Sequence, residues 1–131
     1  MFRCSLGVLL LFFPAAVRAD WTPAPEPSTW QRLRREHLQG QGWLFMEATK
    51  TPKFEAAEYL RNPSAANGTV EVEAALLMRR AGQTSWKTRL IPMRAVCDEG
   101  RLERRDPDGR WQRYPGRPGT LVKVRWICSL P

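Results

Sequence analysis

The chain is expected to be mainly β (α+β): a single antiparallel meander sheet of about five to six strands, with one short N-terminal helix and a disulfide closing the domain. Three observations predict this. After Gly42 the chain runs in short apolar or alternating stretches separated by turn residues, the pattern of neighbouring antiparallel strands. At 131 residues, with 43% hydrophobic and 26% charged, it has room for one domain and too much apolar content to remain disordered. Of its three cysteines, only Cys97 and Cys128 remain once an N-terminal address is removed, and an even pair in an exported chain reads as a disulfide.

The address is residues 1–19. Arg3 gives a positive start, residues 6–13 are nearly all apolar, and Pro14 breaks the run. Val17 and Ala19 stand three and one residues before a cut ahead of Asp20, which is the layout of a secretory signal peptide. The apolar run is about half of the roughly 20 residues that a membrane-spanning helix needs, so cleavage is expected rather than an uncleaved anchor. Cys4 lies ahead of that run and so cannot be the lipid-bearing cysteine of a lipoprotein signal. Export to the periplasm or cell surface is expected. Removing the address takes Arg3 and Arg18 and leaves 19 basic residues against 13 acidic ones, a net charge of +6.

Residues 20–27 form a Pro-rich extended leader, because Pro23, Pro25 and Pro27 exclude a helix or a central strand. The exported domain is then 28–131. Ser28 or Thr29 can cap a helix in which Trp30, Leu33, His37 and Leu38 recur at helical spacing, ending by Gly40. A first strand is predicted over 43–48, and 54–60 reads as either a second strand or a short helical turn. Asn67-Gly68 is a strong turn signal ahead of Val70, Val72, Ala74, Leu76 and Met78, the clearest strand.

Residues 86–97 should return antiparallel to that strand. Their apolar phase slips around Pro92, which implies a bulge or an edge position. Residues 101–105 and 110–114 flank Asp106-Pro107-Asp108-Gly109 and predict a small charged hairpin. At the end, Val122, Val124, Trp126 and Cys128 alternate with Lys123 and Arg125, and the β-branched residues favour a last strand over a helix.

From about residue 54 the chain resembles the bacterial surface-adhesin protein E family of small exported proteins. The resemblance runs through Glu58-Tyr59-Leu60-Arg61-Asn62-Pro63, Asn67-Gly68 entering the clearest strand, and a returning segment ending at Cys97. It continues through Trp111, the turn Pro118-Gly119-Thr120, and Trp126-Ile127-Cys128. It implies an antiparallel sheet with a disulfide tying the C-terminal segment to it, and for the namesake an adhesive role toward host matrix components. The family looks helix-forming between the Pro-Gly turn and the last cysteine, whereas residues 121–125 here are basic and strand-like.

No catalytic constellation stands out. His37 is the one histidine and sits on the proposed helix face, where a partly buried or surface imidazole is the ordinary reading, and no serine motif marks a nucleophile that would need it as a base. Metal ligation would need three or four ligands, and both cysteines are better used on each other. Glu71 and Glu73 share one side of a strand, the ordinary solvated face of a sheet. Asn67-Gly68-Thr69 matches a glycosylation acceptor but reads as a turn. No cofactor is expected.

The charge distribution is more informative. Between positions 101 and 125 eight basic residues face three acidic ones, which places +5 of the +6 in one third of the exported chain. Trp111, Tyr114 and Trp126 are interleaved with them. Arginine beside aromatic rings suits phosphate, sulfate or carboxylate groups on a polymer. The expected anion-binding residues are Arg104, Arg105, Arg110, Trp111, Arg113, Tyr114, Arg117 and Arg125. Their expected partner is an anionic envelope glycan, a lipid headgroup or an acidic protein surface, and export makes nucleic acid the less suitable ligand. The expected function is a non-catalytic binding or interaction module. The alternative is a small periplasmic enzyme, favoured if Glu58, Glu71 or Glu73 surround a deep polar cleft, or an enzyme inhibitor, favoured by an exposed rigid hairpin at 106–109.

Overall fold

The computed structural model describes residues 21–114 and 118–131. The signal-peptide reading of residues 1–19 and the first residue of the leader lie outside them. Six strands, β1 (Leu44–Lys50), β2 (Phe54–Ala66), β3 (Thr69–Arg80), β4 (Lys87–Val96), β5 (Arg101–Arg105) and β6 (Trp111–Arg113), form one antiparallel meander in chain order. Helix α1 (Ser28–His37) precedes the sheet and helix α2 (Thr120–Cys128) follows it. The predicted fold class is therefore present, and residues 54–60 belong to a strand.

The helices lie on opposite faces of the sheet. On the α1 face, Leu33 and Leu38 pack with Trp43, Ala57, Tyr59, Ala75 and Leu77. On the α2 face, Val124, Trp126 and Ile127 pack with Met46, Leu60, Val70, Val72, Ala74, Ala95 and Leu102. Successive strand residues point to opposite faces, so β3 supplies Val70, Val72 and Ala74 to one layer and Ala75 and Leu77 to the other.

The C-terminal segment corrects the strand expectation. Thr120–Cys128 is a helix entered through Gly119, whose φ of 87° suits a residue without a Cβ. β-branched residues cost only a few tenths of a kcal/mol each in a helix (~0.5 kcal/mol). Burying Val124 and Ile127, spaced three apart on one side of the helix, outweighs that cost. The helix also carries Cys128 to Cys97, just past the end of β4, where the two form the disulfide.

Several local expectations are refined. The cap of α1 is Pro27 rather than Ser28 or Thr29, and neither side chain caps the helix. Instead the leader is pinned by Glu26, whose carboxylate accepts bonds from Arg34 at 3.0 and 3.1 Å while its carbonyl accepts from the Gln31 amide. This bond raises the Arg34 pKa above its ordinary value against the opposing effect of burial. Asn67 and Gly68, with φ of 51° and 77°, make the β2–β3 turn as predicted.

Pro92 sits in an unbroken β3–β4 register opposite Glu73, so there is no bulge there. It marks an edge, because β5 pairs only with residues 93–96 of β4. The bulges lie elsewhere, between Phe45 and Glu47 in β1 and between Arg61 and Ser64 in β2, where Asn62 takes a φ of 54°.

Candidate functional site

The residues expected to bind an anion do not form one patch, because the pleat sends them to both faces. On β5 and β6 the register pairs Glu103 with Arg113, Arg104 with Gln112, and Arg105 with Trp111. Leu102 is in the α2-face core, so Arg104 shares that face, opposite Met93. Tyr114 also packs against the α2-face core. Arg105, Trp111 and Arg113 share the α1 face, beyond the part that α1 covers. Arg110 projects from the hairpin turn, where its guanidinium lies 3.7 Å from Asp108. Arg125 is exposed on α2. Arg117 lies outside the described residues.

The α1-face group is organised by two residues that sequence reasoning left out of the site. Arg94, on β4, lies with its guanidinium carbon 4.4 Å above the centre of the Trp111 ring. Its Nε donates to Glu103 at 2.6 Å. Glu103 is only 8% exposed, the one buried charged residue among those described. Arg101, already counted with the basic third, approaches the other Glu103 oxygen at 3.5 Å and also pairs with Glu99. A buried carboxylate thus holds two guanidinium groups, with Arg113 opposite it in the register. Arg113 has no ion-pair partner among the described residues.

This geometry sets what the surface can do. The pair with Glu103 fixes Arg94 over the ring, and a stacked, oriented guanidinium still offers N–H donors to a planar oxyanion. Three arginines, Arg94, Arg101 and Arg113, against the carboxylates of Glu103 and Glu99 leave one positive charge in excess on this antiparallel edge, with Arg105 adjoining it. Arg94 was findable in the sequence, since its phase opposes Met93 and Ala95. What the sequence hides is the register that brings β6 alongside β5 and Trp111 under Arg94.

The carboxylates considered for catalysis are not brought together. Glu71 and Glu73 lie on the α1 face, where Glu73 accepts two bonds from Arg61 at 3.0 and 3.1 Å. Arg61 in turn stacks 4.2 Å over Trp43. Glu58 lies on the α2 face, opposite Glu47. His37 sits 6.2 Å from the Trp86 ring, and no cluster of three metal-ligating side chains occurs among the described residues.

No family model, curated protein or solved structure matches the chain.

Proposed function

We propose that the protein is an exported, non-catalytic binding module that engages an anionic partner of the cell envelope through the Arg94–Trp111–Arg113 face. The observation that carries this is the guanidinium of Arg94 stacked on Trp111 and anchored by buried Glu103, beside Arg105 and Arg113, which have no ion-pair partner among the described residues. The disulfide and the pattern of residues 1–19 support export. The resemblance to the surface-adhesin protein E family supports the same reading.

The test is binding of the oxidised protein to a sulfated glycan, heparin, and to vesicles with and without anionic lipid, each at rising salt. Affinity for the anionic partner should fall steeply between about 50 and 200 mM salt, because the contacts are screened. Trp111→Ala combined with Arg105→Ser and Arg113→Ser should weaken binding, whereas Arg104→Ser, on the other face, should not. Equal loss in both variants, or binding insensitive to salt, would remove the face assignment.

A second reading draws on the hairpin between β5 and β6. Residues 107–110 are exposed, and the turn is braced by Asp106 N–H to the Arg110 carbonyl at 2.8 Å and Gly109 N–H to the Asp106 carbonyl at 2.9 Å. A braced, protruding turn suits an enzyme inhibitor. Slowing of an envelope hydrolase by the wild-type protein, lost when residues 106–109 are replaced by Asn-Gly, would favour it over anion binding.

A further inference from the structure

Helix α2 covers only part of its face of the sheet. It packs over Val70, Val72 and Ala74 of β3, and the same side of that strand then runs on through Leu76 and Met78 to Arg80. There the sheet carries a groove of about 220 Å³ with Ala56, Leu76, Met78 and Ile91 as its floor and Phe54 at its far end. Apart from buried Ala56, these residues are half-buried, so the groove is reachable from solvent.

The register puts cations along one rim. Leu76 lies opposite Arg89, and Met78 opposite Lys87, while Arg80 follows Met78 on the same side of β3 and faces Phe54. Arg80, Lys87 and Arg89 are all exposed, and none has an ion-pair partner among the described residues. β5 pairs only with residues 93–96 of β4, so Lys87 and Arg89 stand on a free strand edge that gives access to the groove. The acidic residues of this face lie on the other flank. Glu47, on the outermost strand, accepts from Lys123 at 2.5 Å, and Glu58, two strands from Arg89, is not free either. Glu55 belongs to the α1 face, with Arg79 and Lys50.

We propose that this groove binds a medium-chain fatty acid. The alkyl chain lies along Leu76, Met78 and Ile91, and the carboxylate sits at the β4 rim among Arg80, Lys87 and Arg89. A volume of about 220 Å³ is half as large again as the roughly 150 Å³ apolar cavity that holds benzene, so it takes one chain of roughly eight carbons and not the paired chains of a membrane lipid. Met78 on the floor and Met46 and Met93 in the lining are unbranched and polarisable, which lets the surface follow a flexible chain. An ammonium head would meet three cations at the rim, and an uncharged head would leave them unused. The site lies on the opposite face of the sheet from the Arg94–Trp111–Arg113 surface and shares no residue with it, so either can fail alone.

The experiment compares octanoate, octanol and octylamine by calorimetric titration of the oxidised protein at neutral pH and constant salt. Octanoate should bind about tenfold tighter than octanol, which is what two or three exposed charge contacts add together, and octylamine should bind weakest. Raising the salt should close the gap between octanoate and octanol. Lys87→Ser/Arg89→Ser, at two exposed positions, should bring octanoate close to octanol while leaving octanol binding in place. Met78→Glu should weaken octanoate and octanol alike, with Ile91→Glu in its place if that variant melts well below the parent. Trp111→Ala/Arg105→Ser/Arg113→Ser should bind octanoate as the parent does. Octanoate no tighter than octanol, an octanoate affinity unchanged in Lys87→Ser/Arg89→Ser, or no saturable binding of octanoate would each overturn the proposal.

Discussion

Opening the disulfide is the perturbation whose size the structure fixes best. Cys97 and Cys128 are 31 positions apart. In the loop-closure treatment, a cross-link over a loop of that length removes about 12 cal/mol/K of entropy from the unfolded chain, or about 3.7 kcal/mol at 25 °C. For a domain of this size each kcal/mol moves the melting temperature by about 4 °C, so reduction should lower it by roughly 15 °C. The native state should change little. Val124, Trp126 and Ile127 hold α2 on the sheet by burial, and the Cys97 N–H still donates to the Gly68 carbonyl at 2.9 Å.

The assay is a thermal melt and a urea titration of the same protein with and without reductant, with Cys97→Ser/Cys128→Ser as the permanently open form. Far-UV dichroism at 25 °C should be unchanged. The urea m-value should rise, because an uncrosslinked denatured state exposes more surface. A melting shift under about 3 °C with an unchanged m-value would refute the cross-link as a constraint on the unfolded chain. Loss of helical signal at 25 °C on reduction would refute the claim that packing alone seats α2.

Asn62 holds a φ of 54° in the β2 bulge; Asn62→Ala should cost about 1 kcal/mol, and Asn62→Gly less, by chemical denaturation. Leu77 is fully buried while Leu90 is 54% exposed; Leu77→Ala should cost about 3 kcal/mol and Leu90→Ala under about 0.5 kcal/mol. Arg94→Ala strips a partner from buried Glu103 and should destabilise the protein by about 2 kcal/mol, less in Arg94→Ala/Glu103→Gln, as a double-mutant cycle will show. Burial chiefly raises the Tyr59 pKa, so the unfolded phenol releases its proton first as pH climbs. The Tyr59 contribution is therefore complete below about pH 10 and is lost as pH rises toward the folded-state value. Urea midpoints measured up to pH 11 should fall more for the parent than for Tyr59→Phe.

Much of the meander was legible because its signals are local. Asn67-Gly68 and Asp106-Pro107-Asp108-Gly109 fix turns by backbone preference, and the alternation after Val70 fixes a strand. Helix α2 was misread because propensity competed with burial within a few residues. A tertiary signal was nevertheless present. Residues 74–78 of β3 are continuously apolar, and such a strand is covered on both faces. One helix cannot cover two faces, so a second covering element was required, and the segment after Pro118-Gly119 remained to supply it. The two bulges escaped notice because each depends on pairing with another strand, and the β1 bulge alone decides which face Glu47 joins.

The same pleat explains why a concentrated run of basic residues did not become a single site. A net charge counted along the chain treats Arg104 and Arg105 as neighbours, but a strand places them about a sheet's thickness apart in effect, one with Met93 and one with Trp111. Charge density on a β protein is therefore a property of cross-strand rows rather than of sequence windows. Counted by rows, the α1 face gains Arg94, which lies outside the basic third, and gives up Arg104 and Tyr114 to the face where α2 packs. Glu103 then counts differently as well. In the sequence it subtracts one charge from a basic run; in the fold it is the buried anchor that lets Arg94 and Arg101 stand side by side against their mutual repulsion. Replacing Glu103 with Gln should therefore loosen the platform even though it raises the net positive charge. Weaker salt-sensitive binding in that variant would follow from geometry, and stronger binding would mean that charge count alone governs the interaction.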